Sequence, residues 1–455
     1  MQMMSADEPA VARFASAQKE SLKPPPASSI DTAVIDKSEF FARKPSAETG
    51  EGKSLSSNWV PTALKPVPAF YPLEKSSRLI EYDSPKEIAG RLSECLRTLS
   101  VHAVYDNDQA SLLTAENVEM HLSLWQTPAN RVPQGVVVEI QRRKGDSIAF
   151  HRYSGAILDA AVGENVYPSE ELQDDIMYSK KVQRLISMEM NKNQDLMEHE
   201  NAIVAIEIAH GLLMKDRMDA RQLGLESLCL LTDPKKTGYI TAVLTSHVVL
   251  LGSTQGVELP GIGHENELIV DEGPFQEIRE RILGLVQFSQ IGEDSHDEVD
   301  ASPESEHITL LHNLALLVLA NSLEVIENAD QYDDEPEDTK PRGRLRTASS
   351  NDVANEFLQQ TEDLSKKEML STLISELGKA QHKPHEATLS AKCLGSLLRA
   401  SDEAKRRAQE LEAKMVVTAA LQVGTRTHLK LETECKKVAK ALDHPVEDGD
   451  DGSED

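Results

Sequence analysis

The chain has 455 residues, which exceeds a single ordinary core and allows two or three domains with linkers. Apolar residues make up 39% of the chain and aromatic residues only 4%, which favours helices packed through Leu, Ala, Val and Ile over an aromatic-rich β sandwich. The formal net charge of -28 excludes duplex nucleic acid as a general ligand, because an acidic surface repels phosphate backbones.

Cysteine spacing and hydropathy indicate a cytoplasmic protein, with nuclear entry left open. Cys95, Cys229, Cys393 and Cys435 form no CxxC pair, so each is expected to be a buried thiol in a reducing compartment. The N-terminus lacks the basic, apolar and small-residue order of a secretory signal. Residues 310–323 form the most apolar stretch, but they are too few to span a bilayer, so we predict a buried helix and no transmembrane segment.

The first 75 residues are predicted to be a disordered segment rich in Pro and Ser. Prolines recur from Pro24 to Pro68 among polar residues, without the period of a helix or a strand. Two small apolar clusters, Phe40-Phe41 and Trp59-Val60, interrupt this segment. We expect them to dock on the folded part of the chain, with a partner protein as the alternative.

A small α+β domain is predicted over residues 79–163. Ser84-Pro85 followed by Glu87 is typical of a helix start, and apolar residues at three- and four-residue spacing continue to Leu99. Alternating apolar and polar residues predict strands at 118–124 and 136–140. We expect a tight basic turn to lead into a third strand, which holds Ile148, Phe150 and Arg152, and a short closing helix over residues 156–162.

This order of elements resembles the kinase-associated C-terminal domain. The residues that carry the resemblance are Ser84-Pro85, Glu87-Ile88, Val138-Glu139-Ile140 and Arg152-Tyr153-Ser154-Gly155. The resemblance implies an α-β-β-β-α module that docks to regulatory subunits, takes part in intramolecular control or binds anionic phospholipids. No Gly-rich loop, His-Arg-Asp or Asp-Phe-Gly motif of a kinase precedes it, so only docking or lipid binding carries over.

From about residue 170 onward the sequence pattern predicts helices. Apolar residues recur at helical spacing from Ala202 to Leu251, around Ile282, from Ile308 to Ile326 and from Leu370 to Leu442. Such helices bury their apolar faces by stacking side by side. Disordered acidic inserts are predicted at 291–305 and 330–360, and an acidic tail at 444–455.

The helical stretch over residues 180–443 is similar to an irregular armadillo or HEAT solenoid of three to four units. The likeness rests on Asp219-Ala220-Arg221 through Leu231, and on the helices from Leu373 to Met415. It implies a mostly α protein with an extended protein-binding surface. The Asn and Trp ladder with which better known members bind peptides is not evident, so no binding residues carry over.

Catalytic and metal motifs are missing from the sequence. It holds no GxSxG elbow, P-loop, dinucleotide glycine pattern or HExxH. His382 and His385 stand three apart, and His307 and His312 lie near acids, but a third ligand at useful spacing is lacking. We therefore expect no catalytic residues, no metal and no cofactor, and interpret these histidines as solvated caps or core-edge residues.

Two short sequence patterns of basic residues predict binding or modification sites. Arg142, Arg143 and Lys144, with Arg152 on the adjacent strand, form a compact positive tip that is either solvated or bound to an anionic lipid or an acidic partner. Ser349 follows Arg344 and Arg346 at the spacing that basophilic kinases read, which predicts a phosphorylation site. We expect a non-catalytic scaffold or adaptor for an unidentified protein, in a kinase-regulated pathway, with a peripheral anionic-lipid-binding adaptor as the alternative.

Overall fold

The computed structural model describes residues 59–68, 70–127, 134–164, 194–255, 257–258, 272–288, 303–331, 346–364 and 368–443. All of them belong to one compact unit, Ser56–Asp455. We call residues 59–164 the sheet part and residues 194–443 the helical part. The Phe40-Phe41 cluster, most of the insert predicted at 291–305 and the acidic tail lie outside the described residues.

The sheet part is a six-stranded sheet with two helices. In chain order its elements are β1 Lys65–Pro66, β2 Ser77–Glu81, α1 Pro85–Thr98, β3 His102–Asp106, β4 Gln109–Leu113, β5 Glu119–Gln126, β6 Gly135–Lys144 and α2 Ser147–Val162. The antiparallel order is β2-β6-β5-β4-β3, and β1 runs parallel to the end of β5. Alternate residues of β5 and β6, such as Leu122 and Val138, pack with α1 and α2 into one core.

The predicted helix at the start of this domain and the two predicted strands are confirmed. Ser84 accepts a hydrogen bond from the backbone N–H of Glu87, and the Glu87 side chain reaches back to the N–H of Ser84, so α1 begins with a capping box. The strands predicted at 118–124 and 136–140 are β5 and β6. The sequence interpretation missed β2, β3 and β4, each of only five residues.

The third strand predicted at residues 148–152 is wrong. Gly145 has a φ of 97°, which ends β6, and the carboxylate of Asp146 accepts a hydrogen bond from the N–H of Ala149 at 2.7 Å. This cap starts α2 at Ser147, so Arg152 lies on a helix and the short closing helix begins far earlier than residue 156. The apolar residues at 148 and 150 were expected to face the core from one side of a strand. They lie on α2 instead, where Ile148 is 78% exposed.

The chain between residues 59 and 76, which we call the strap, packs on the sheet. Trp59 is buried, donates through Nε1 to the carbonyl of Asn107 at 2.7 Å and stacks on Tyr105. The segment predicted as disordered up to residue 75 is thus ordered from residue 59, save residue 69, which is not described. Docking of Trp59 on the folded part of the chain is confirmed, because its apolar ring joins the core of the sheet part.

The helical part contains twelve described helices. They are α3 Gln194–Leu213, α4 Met218–Leu231, α5 Pro234–Thr237, α6 Tyr239–Leu251, α7 Gly273–Phe288, α8 Pro303–Gln331, α9 Ser350–Leu364, α10 Met369–Gly378, α11 Pro384–Ala400, α12 Asp402–Glu410, α13 Ala413–Thr427 and α14 Leu429–Asp443. A two-stranded ribbon, β7 Val257–Glu258 with β8 Arg346–Thr347, joins two of the connections. One continuous apolar core extends from Ile203 to Leu442.

The long helix α8 lies at the centre of this core. It packs against α4, α6 and α7 and, further along the chain, against α11, which in turn packs against α14. Residues His307–Ala329 are long and apolar enough to cross a membrane, but 56% of an apolar 18-residue stretch within them is buried inside the protein. Length and composition are weak evidence for a membrane span when the helix packs against so many others.

The insert predicted as disordered at 330–360 is partly wrong. Residues 350–364 form α9, whose buried Val353, Phe357 and Leu358 face the core. Polar residues such as Asn351, Asp352 and Asn355 separate these apolar positions and obscure the helical period in the sequence.

Candidate functional site

The predicted basic tip lies where β6 turns into α2. The side chains of Arg142, Arg143 and Lys144 are exposed, and Arg142 donates through Nη1 to the carbonyl of Gly145 at 2.8 Å. The ammonium of Lys144 lies 4.0 Å from a carboxylate oxygen of Glu119. The turn is therefore accessible, but an acid on the neighbouring strand offsets part of its charge.

Arg152 is paired with an acid and does not extend the basic tip. Its Nη2 donates to both carboxylate oxygens of Glu116, at 2.5 and 2.6 Å. With Glu119 and the cap Asp146, three carboxylates stand among the four basic side chains of this end of the sheet. The exposed side chain of Ile148 adds an apolar group beside the turn.

Ser349 lies at the start of α9. It is exposed, and its carbonyl accepts the first helical hydrogen bond, from the N–H of Val353 at 3.0 Å. Arg344 lies outside the described residues, so its proximity to Ser349 stays a prediction. A helix N-terminus favours negative charge, so this position is suited to a phosphate on the serine.

The two parts of the chain meet at a polar contact that the sequence interpretation did not predict. His385, at the start of α11, donates through Nε2 to the carbonyl of Leu113 at the end of β4, at 3.0 Å. His428, which directly precedes α14, lies with its Nε2 3.2 Å from Nδ1 of His385. The two rings meet edge to face with their centroids 5.0 Å apart.

The first turn of α14 is capped from both sides of this contact. The N–H of Leu431 donates to Nδ1 of His428 at 3.2 Å, and the N–H of Lys430 donates to the hydroxyl of Ser100 at 2.9 Å. Ser100 belongs to the sheet part and is held at a φ of 56°, a left-handed conformation that is uncommon outside glycine. The sheet part thus satisfies one of the amides that a helix N-terminus leaves unpaired.

An ion pair lies beside the histidines. Arg97 of α1 donates to the carboxylate of Glu432 at 3.2 Å, and both side chains are mostly buried, with 22% and 14% exposed. Each also bonds within its own helix, Arg97 to Glu94 and Glu432 to Lys436. Helices α1 and α13 also pack against each other.

Loss of hydration dominates the titration of both histidines. Desolvation lowers the pKa of His385 to about 4 and that of His428 to about 2. These values include smaller contributions: the charges of His102 and Lys430 lower both pKa values, the charge of His385 lowers that of His428, and the carbonyl of Leu113 raises that of His385. Both rings are therefore neutral at physiological pH.

The sequence interpretation treated His385 as a solvated cap or a core-edge residue, and it did not single out His428. Both sit at helix starts, one after Pro384 and one before Leu429, and that is the only local signal. Among the described residues, no three His, Cys, Asp or Glu side chains are grouped closely enough to hold a metal ion.

An open groove of about 480 Å³ runs between α13 and α14. Leu421, Lys436, Ala439, Lys440 and Asp443 line it. Lys436 forms an ion pair with Glu432, and Asp443 forms one with Lys414. The groove is open to solvent and does not form an enclosed cavity.

Comparison with known proteins found no match: no protein-family model, no curated protein and no solved structure resembles this chain. The armadillo or HEAT likeness and the kinase-associated likeness therefore stay predictions.

Proposed function

We propose that the protein is a non-catalytic scaffold that binds another protein through its helical part, in a kinase-regulated pathway. The packing order of the helices supports this proposal. Helices α6, α8, α11 and α14 contact one another in succession, as expected for an irregular armadillo-like solenoid. Such stacking leaves long helix faces accessible without requiring a reactive cleft.

The observation that carries the proposal is an apolar surface on the first two helices of the helical part. On α3, Val204 is 52% and Ile208 61% exposed, and their spacing of four places them on one face. On α4, Leu223 and Leu230 are about half exposed and stand seven apart. Exposed apolar side chains grouped on neighbouring helices mark protein interaction sites.

The two stripes lie on helices that approach each other closely. A Cβ at Gly224 of α4 would lie 2.9 Å from the backbone nitrogen of Leu213 in α3. A side chain at this position would collide with the backbone of α3, so glycine lets the two helices pack closely. We infer that a partner protein covers Val204 and Ile208 and buries their apolar area.

The test is quantitative affinity purification from the native cell with the full chain as bait. Changing Val204→Asp together with Ile208→Asp is expected to abolish capture of the specific partner, because the charges cannot be buried without cost. The control introduces the same two charges on other helices, Gln409→Asp with Met415→Asp at exposed positions of α12 and α13, and retains the partner. Equal capture by both variants contradicts the proposed surface.

The alternative is a peripheral adaptor that binds anionic lipid through Arg142, Arg143 and Lys144. The exposed Ile148 beside these cations favours it, since membrane-surface sites combine basic and apolar groups. The ion pair of Arg152 with Glu116 and the approach of Lys144 to Glu119 weigh against strong binding.

Vesicle sedimentation separates the two functions. The scaffold stays in the supernatant, whereas the adaptor pellets with phosphatidylserine vesicles and is released by salt. Reversal of Arg142, Arg143 and Lys144 to Glu is expected to remove any pelleting, and reversal of the exposed Lys235 and Lys236 serves as the matched control. Unchanged pelleting of the triple variant eliminates the lipid function.

A further inference from the structure

We propose that the contact between the sheet part and the helical part is an acid-sensitive latch, in which protonation of His385 and His428 opens the contact. The latch consists of these two rings, the carbonyl of Leu113 and the N–H of Leu431. It goes beyond scaffolding, because it makes the relative position of the two parts depend on pH.

The hydrogen bonds allow only one protonation state. The N–H of Leu431 points at Nδ1 of His428, so this nitrogen carries no proton. The proton of His428 is then on Nε2, which donates to Nδ1 of His385, and the proton of His385 is on Nε2, which donates to Leu113. All four ring nitrogens are thus used, two as donors and two as acceptors.

A further proton has no favourable place in the closed contact. It would bind Nδ1 of either ring, and each Nδ1 already faces a donor. The new N–H would therefore oppose another N–H and break a hydrogen bond that orients the two rings toward the sheet part, although His385 Nε2 would keep its proton for the Leu113 carbonyl. On His428 the added charge would also stand at the positive end of the α14 dipole.

The charged groups around the rings do not compensate for such a proton. From β3 the facing group is His102, which itself faces the exposed His382, and from α14 it is Lys430. From β4 the carbonyl of Leu113 accepts the hydrogen bond of His385. Glu432, the carboxylate of this first turn of α14, is bonded to Arg97 of α1 and to Lys436.

Opening hydrates the two rings and restores their capacity to bind protons. In the closed contact the pKa values are about 4 and about 2, whereas a hydrated histidine titrates near pH 6.5. A pKa lowered in the closed state means that the contact is fully stable above pH 6.5 and weakens as the pH falls below it. For two such rings the ratio of closed to open molecules falls about 100-fold between about pH 7.5 and about pH 5.5.

Hydrogen exchange of the full chain, corrected for the intrinsic pH dependence of exchange, tests the latch. Between about pH 7.5 and about pH 5.5, protection of peptides that cover residues 99–114 and 428–433 is expected to fall by up to about 100-fold. Peptides from the core of α8 are expected to keep their protection. Unchanged protection at the contact overturns the proposal, and so does a parallel loss in α8, which would indicate acid unfolding of the helical part.

A non-titrating variant separates protonation from other effects of acid. His428→Asn keeps an acceptor for the N–H of Leu431, and His385→Gln keeps a donor for Leu113. The double variant is expected to hold its protection at the contact at both pH values, whereas the control His151→Gln, at an exposed site on α2, behaves like the wild type. Loss of protection in the double variant equal to that of the wild type overturns the proposal. If circular dichroism shows that the double variant does not fold, hydrogen exchange of the wild type at both pH values, with the His151 variant as control, decides whether the latch exists.

Discussion

At the scale of single residues, Glu139 is the clearest case of a charge that holds structure together. It lies in β6 with no exposed surface, and its carboxylate accepts hydrogen bonds from Trp125 Nε1 at 3.0 Å and from the hydroxyl of Tyr71 at 3.2 Å. The backbone N–H of Glu74 donates to it at 2.8 Å. Two of these three donors belong to the strap, so one buried carboxylate fastens the strap to the sheet.

Removing this carboxylate should loosen the strap. Glu139→Leu leaves the buried donors of Trp125, Tyr71 and Glu74 without an acceptor, and we expect the free energy of unfolding to fall by about 2–4 kcal/mol. Urea unfolding measures this change. The exposed Glu81→Leu on β2 is the control and should change the free energy by less than about 0.5 kcal/mol. A small effect at Glu139 would contradict its role as the fastening group.

His247 offers a second residue-scale prediction, on pH. It is fully buried in α6, neither ring nitrogen has a hydrogen-bond partner among the described residues, and desolvation lowers its pKa to about 4. Because the folded pKa lies below the unfolded value near 6.5, its contribution to stability is present above pH 6.5 and is lost as the pH falls toward 4.

We expect His247→Leu to reduce the acid sensitivity of the fold. The free energy of unfolding lost between about pH 7.5 and about pH 5 should be smaller in this variant than in the wild type by about 2 kcal/mol. Urea unfolding at both pH values measures the difference, with the exposed His151→Leu as control. Equal pH dependence in the wild type and the variant would mean that His247 binds its proton without opening the core.

At the scale of elements, short capping groups decide where helices begin and override weaker periodic signals. Asp146 starts α2 in a stretch that alternates like a strand, and Ser84 starts α1 where the sequence predicted it. In α9 the apolar positions are few, and the helix forms because Val353, Phe357 and Leu358 pack on its neighbours. Because few apolar contacts hold α9, a change in charge at its N-terminus should alter the stability of this helix.

Phosphorylation of Ser349 should stabilise this boundary. A phosphate at the N-terminus of α9 interacts favourably with the helix dipole, and we expect it to raise the free energy of unfolding by about 0.5–1 kcal/mol, less at high salt. Chemical denaturation of the phosphorylated and unmodified chains measures this. Mass spectrometry of the protein from its native cell shows whether the modification occurs, with Ser349→Ala as the blank, and only unmodified Ser349 there would reject the regulatory role.

At the scale of the whole molecule, the contact between the sheet part and the helical part fixes how the two parts are placed. It combines the histidine pair, the cap that Ser100 supplies to α14 and the ion pair of Arg97 with Glu432. The basic turn at Arg142 and the apolar surface at Val204 belong to different parts. While the contact is closed, these two surfaces are held at a set spacing, which the chain would lose on opening.

A charge exchange tests this contact without changing pH. Arg97→Glu places two carboxylates together and should weaken the closed contact, and adding Glu432→Arg should restore part of it. Because both groups have other partners, we expect a coupling free energy of only about 1 kcal/mol. A double-mutant cycle on exchange protection of residues 99–114 measures it. Zero coupling would show that the pair does not hold the two parts together.

The sequence by itself determined the elements whose signals are local. Repeated apolar spacing predicted α1 and most of the long helices, and strict alternation predicted β5 and β6, because a helix or strand with one buried face needs that period. The small apolar cluster Trp59-Val60 in a polar segment predicted docking on the folded chain, with a partner protein as the alternative.

Only the tertiary structure decided the contact between the two parts and the surroundings of the candidate sites. His385 bonds to Leu113 across 272 residues, and the rings of His385 and His428 are neutral because packing removes water from them. Arg152 was predicted beside the basic tip, yet the chain turn at Gly145 and Asp146 places it on a helix, in a pair with Glu116. Hydration, partners and distance between remote residues are properties of the packed chain, and no local spacing encodes them.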